Sequence, residues 1–116
     1  MATGLPIRPG SAAVVLSGAG GGTAKIGPAG PREAWHPEYA SVSVATSVKE
    51  AQCRIYTGDA PVPANFVDGT LSGSTGDGTG RVSGRPLKLG DFIWAVWTGG
   101  DAGAVATLNV TGTRDL

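Results

Sequence analysis

Apolar and polar residues alternate most clearly near the end of the chain. Ala104, Ala106, Leu108 and Val110 fall on one side of an extended backbone, and Val105, Thr107, Asn109 and Thr111 on the other. That period of two belongs to a strand with one face in a core and one in solvent. The run before it is apolar on both sides, with Phe92, Trp94 and Val96 against Ile93, Ala95 and Trp97. Such a strand is covered on both faces or meets a partner on one of them. Between the two runs, TGGDAG reads as a glycine turn that joins adjacent strands.

Further apolar runs occupy 12–16, 23–26, 33–46, 51–57 and 65–73, most of them separated by stretches that contain Gly, Pro, Asn or Asp. No window holds helical i, i+3, i+4, i+7 spacing beyond a turn without meeting glycine, proline or β-branched residues, so a short turn near Ser47–Ala51 is the most helix expected. Short strands at this spacing predict an all-β fold, an antiparallel immunoglobulin-like β-sandwich of about seven or eight strands. The first ten residues, MATGLPIRPG, carry two prolines and two glycines and read as an extended arm, leaving 11–116 as a single sandwich domain. An arm of this kind can reach a neighbour, which makes Ile7 and Arg8 candidate contact residues. The stretch SGSTGDGTGRVSG, 72–84, has only Val82 to bury and reads as a long hairpin tip or a poorly covered edge.

A chain of 116 residues is large enough for one core without metal or disulfide support. Nine basic and nine acidic residues cancel and are evenly spread, so no basic stripe marks a nucleic-acid or anionic-lipid surface. No apolar run approaches the roughly 20 residues of a membrane helix, and the start of the chain is too interrupted for a good secretory signal; synthesis in the cytoplasm is expected. The single cysteine, Cys53, excludes an internal disulfide and reads as a small buried side chain.

Candidate chemistry is sparse. His36, the only histidine, lies between Trp35 and Pro37 at a strand bend, and no serine stands in a G-x-S-x-G context, so it reads as a surface imidazole and not a general base. The glycine run 18–22 before Lys25 lacks phosphate-loop spacing and a following helix, and reads as a hairpin turn. Asp68, Asp77, Asp91 and Asp101 each stand at a turn, but their spacing matches no calcium loop. No catalytic residue, metal or cofactor is therefore expected. The tryptophans remain. Trp35 reads as a core lid; Trp94 and Trp97, three apart, point to opposite faces. Trp97 is taken as the outward one, with Tyr56 as a second exposed aromatic, because an aromatic on a flat sheet can anchor a protein interface or stack on a sugar.

Three stretches, GPREAWHPEYASVSVAT, CRIYTGDAPVPANFVDGTLSGS and LGDFIWAVWTGGDAGAVATLNVTGTRDL, carry a resemblance. From Gly30 to Thr113 the chain resembles small β-sandwich virion proteins of tailed bacteriophages that infect actinobacteria. The resemblance is one of strands and turns and brings no site residues. It implies a non-enzymatic structural protein of the particle, a capsid accessory (decoration) protein ahead of a small tail component. It also implies localisation in the virion, other virion proteins as partners and a homo-oligomeric arrangement there. The alternative is a carbohydrate-binding module that holds a glycan on Trp97 and Tyr56.

Overall fold

The computed structural model describes residues 5–7, 10–28, 30–45, 51–72, 77–81 and 86–115. These form β1 (Leu5–Pro6), β2 (Ser11–Val15), β3 (Gly22–Ile26), β4 (Ala34–Ala45), β5 (Ala51–Gly58), a 3-10 turn (Pro63–Asn65), β6 (Phe66–Ser72), β7 (Asp77–Arg81), β8 (Phe92–Thr98) and β9 (Val105–Asp115). Among the described residues there is no α-helix. The turn expected at Ser47–Ala51 lies outside them, except that Ala51 opens β5.

Two antiparallel sheets stack on one core. One has the order β1–β9–β4–β7, with β2 also on β9, and the other β3–β8–β5–β6. The antiparallel sandwich expected from strand spacing is present, and the register refines its wiring. An immunoglobulin-like domain sets strands one, two, five and four against three, six and seven. Here β2–β9–β4–β7 faces β3–β8–β5–β6, which is the double Greek-key order of a jelly roll. The pairings β2·β9, β3·β8, β4·β7 and β5·β6 are nested, as though one long hairpin had been rolled up.

Adjacency in sequence is therefore a poor guide to pairing. β8 and β9, read above as neighbours across a glycine turn, lie in different sheets, and the turn arches over the end of the core. The turn between β2 and β3, closed by Ser17 N–H to Gly21 O at 2.9 Å, also crosses between sheets. These two arches are tied together. Gly100 N–H donates to Gly20 O at 3.0 Å, Gly103 N–H to Leu16 O at 3.0 Å and Leu16 N–H to Ala104 O at 2.8 Å.

The core is filled by alternate residues. Ala106, Leu108 and Val110 of β9 point inward and are at most 4% exposed, as their spacing predicts. On β4 the buried positions are Trp35 and Pro37, then Ala40, Val42 and Val44. The change of phase coincides with a register shift between Pro37 and Tyr39, because one extra residue in a strand turns every later side chain to the opposite face. Gly112 stands opposite Pro37, and a Cβ there would run into the His36 carbonyl and lie 2.8 Å from Pro37 Cα. Trp35 lies beside the end of β9 and donates its indole N–H to Glu33 Oε1, which is 3.8 Å from Arg114 Nη1.

Residues 5–7 do not form a free arm. Leu5 and Pro6 pair with Arg114 and Thr113 on the same edge of β9 that β2 occupies further along. Ile7 donates its N–H to Gly112 O at 3.4 Å, and its side chain belongs to the core at 6% exposure. Its pull into the core is hydrophobic: Leu5 and Ile7 share the inward phase of this segment, Leu5 half-buried and Ile7 buried. Ile7→Ala should therefore cost about 2 kcal/mol or more, read as a lower urea midpoint. An unchanged midpoint would return the segment to the status of an arm.

Candidate functional site

The sandwich has two unlike outer faces. On the β2–β9–β4 side, two middle rungs carry small residues, Ser11, Asn109 and Ser41 in one and Ala13, Thr107 and Ser43 in the next, while the exposed Val15–Val105 pair and Tyr39 lie to either side of them. The outer face of the other sheet is aromatic and cationic. One rung crosses all four strands as Lys25 (β3), Trp94 (β8), Tyr56 (β5) and Phe66 (β6). Beside it run Thr23, Val96, Arg54 and Gly69, and on the other flank Phe92 pairs with Gly58.

Strand pairing decides which tryptophan faces out, and the outcome corrects the choice of Trp97. Trp97 is 0% exposed, inside the core with Ile93 and Ala95. Its register partner Cys53 is also buried, whereas Trp94 is opposed by Lys25 and Tyr56. A strand apolar on both sides takes its orientation from its neighbours. Ala24, Ile26, Cys53 and Ile55 make one face of this sheet apolar, and the phase that joins them is Ile93, Ala95 and Trp97. The signal available in the sequence was the pair Lys25 and Arg54, cations in the opposite phase of their strands.

Tyr56 lies on the outer face as expected but is only 8% exposed. Its ring meets Phe66 edge-on, with centroids 5.7 Å apart at 72°. Phe92 and Trp94 form a second edge contact at 5.6 Å and 69°, the arrangement favoured by aromatic quadrupoles. Lys25 Nζ lies 4.5 Å from the Phe92 centroid and 4.9 Å from that of Trp94, a cation–π position. Trp94 Nε1 donates to Gly58 O at 3.0 Å, which fixes the indole and satisfies its polar atom.

The loop after β5 completes the site. Asn65 Nδ2 donates to Ala60 O at 2.9 Å and Asn65 N–H to Val62 O at 2.8 Å, holding the 3-10 turn that Pro63 starts. Proline suits the first position because its fixed φ and missing N–H cost nothing there. Pro63 and Phe66 then stand with Tyr56 and Arg54 around a shallow groove of about 330 Å³. Phe66 is 50% exposed, and Val62 and Val67 are exposed nearby in sequence. Neither the proline turn nor Phe66 stood out in the sequence, since a short VPANF run has no periodicity to read.

The remaining candidates do not join this site. Ile7 lies in the core and Arg8 lies outside the described residues. His36 is exposed on β4, its Nε2 2.9 Å from Asp115 Oδ2 across the β4–β9 pair. Asp91 accepts from Lys88 N–H at 3.2 Å before β8, and Asp101 follows β8 at its far end. Among the described residues no three His, Cys, Asp or Glu side chains gather as a metal site.

Cys53 is buried, and desolvation pushes its thiol up to about 12, with a backbone hydrogen bond from Val96 opposing part of the rise. The folded chain should resist iodoacetamide at pH 8 and react once unfolded. Because the unfolded thiol loses its proton near 9.0 and the folded one near 12, the contribution of this group is intact below pH 9. It is lost as pH rises through that window. Urea midpoints measured across it should fall more steeply for the native chain than for Cys53→Ala; parallel slopes would contradict the burial of the thiol.

Compared with known proteins, the chain matches no protein-family model and no curated protein sequence.

Proposed function

We propose that this chain is a non-enzymatic structural protein of a tailed bacteriophage particle, a capsid accessory protein ahead of a small tail component. The observation that carries the proposal is the asymmetry of the two outer faces. One carries small residues across its middle, with exposed Val15, Val105 and Tyr39 toward its ends, and the other sets an exposed Phe66 beside a groove with Arg54 and Tyr56. Tyr and Arg are the residue types that concentrate binding energy in protein interfaces, and a rigid two-sheet body presents them without loop entropy. The sequence resemblance over Gly30–Thr113 supplies the phage setting. Jelly rolls serve as viral capsid domains and as lectins, so the wiring suits the proposal without choosing it.

The test is direct. Density-purified particles should contain the chain in many copies by quantitative mass spectrometry, and separated heads should retain it while tails do not. Its absence from purified particles would end the virion reading.

The second reading, a glycan-binding module, is favoured by Trp94, Tyr56 and Phe66 lying on one rung beside the groove. It stands second because sugar stacking uses open ring faces. Here the ring pairs meet at 69° and 72°, and Lys25 covers Trp94.

A further inference from the structure

We infer that the groove beside Arg54 is the docking site for an extended acidic-apolar segment of another particle protein, an inference that rests on the virion reading. Four features of the face lead there. First, the outer rungs of this sheet carry two cations, Lys25 and Arg54, and no acidic residue. Asp68, next to Gly69 on β6, pairs with Ile55 and so falls in the register of the buried rung, and Asp59 and Asp91 lie beyond the Gly58–Phe92 pair at the margin. Second, the two cations differ. Lys25 is engaged by the Phe92 and Trp94 rings, whereas Arg54 is exposed and makes no ion pair among the described residues.

Third, the position paired with Arg54 on β6 is Gly69. Glycine brings no side chain to that position, and a carboxylate of a partner can meet the exposed guanidinium in the bidentate geometry that arginine favours. Fourth, the wall opposite is apolar, formed by Pro63 and the half-exposed Phe66. A segment that places an apolar side chain against Phe66 and a carboxylate on Arg54 satisfies both ends of the groove. The crossed rings argue for such a segment over a sugar, because a side chain fills a corner between edge-packed rings and a pyranose needs a level one.

The experiment uses the full chain assembled into particles. A p-benzoylphenylalanine in place of Phe66 should crosslink to a different virion protein, at a segment with Asp or Glu next to an apolar residue. The same group in place of Val15, on the opposite outer face, should not. Arg54→Glu should lower incorporation by about tenfold or more, with Arg54→Lys intermediate, and neither should shift the melting temperature of the isolated chain. Incorporation of Arg54→Glu at the native level, or crosslinks only from position 15, would overturn the inference and leave the virion reading standing. A crosslink from position 66 to a second copy of this chain would replace the proposed occupant. Retention of the isolated protein by polygalacturonate, lost in Arg54→Glu, would assign the groove to an acidic glycan instead. If the native chain is missing from particles, both readings fall.

Discussion

Trp97→Ala should lower the unfolding free energy by about 3–5 kcal/mol, while Trp94→Ala should cost clearly less. Trp97 is completely buried near the end of β8, among the core side chains of the two sheets. Removing its indole leaves a void that edge-to-edge strands cannot close, because a cavity in a two-layer core is bounded by hydrogen-bonded backbone on both sides. A loss of this size is a large fraction of the roughly 5–15 kcal/mol that holds a typical domain, so the variant should unfold at a much lower urea concentration with an unchanged slope. Trp94 is only half-buried on the outer face and loses chiefly its contacts with Phe92 and Lys25 and its bond to Gly58. The reverse order of the two midpoints would mean that β8 is turned over.

Gly20→Ala should be the most damaging of the glycine-to-alanine changes among the described glycines with a known Cβ environment. Gly20 holds φ +80°, and an added Cβ would run into the Gly100 carbonyl, forcing apart the two arches that Gly100 N–H to Gly20 O holds together. The backbone conformation alone costs on the order of 1–3 kcal/mol for a residue with a side chain, before the lost bond is counted. Gly103 is the matched control, with φ +81° and open space where a Cβ would go. Gly103→Ala should therefore show the conformational cost by itself. Thermal unfolding of both variants measures the difference, and equal shifts would show that the arches do not touch.

Much of this molecule was legible along the chain, for reasons that are local. Strand segments appeared because side chains alternate across an extended backbone, so Leu108 could be placed inside and Thr107 outside from spacing alone. The burial of Cys53 and Trp35 followed from their neighbours, and His36 came out on the surface as its context implied. β7 was harder, since DGTGR carries none of the apolar alternation that marks a strand; it is a strand because β4 offers it an edge.

Pairing, by contrast, is a property of distant segments. Whether TGGDAG closes a hairpin or arches between sheets depends on the carbonyls of Leu16 and Gly20, far earlier in the chain. Ile7 is core and not arm because β9 presents it a free edge. The direction of Trp94 and Trp97 was undetermined within their own strand, where both faces are apolar, and was settled only when Cys53 and Ile55 on β5 and Lys25 on β3 came to lie against it. Local alternation specifies that strands exist and which residues share a face. Which face becomes the inside depends on a free energy of burial that is defined only once the second sheet is in place.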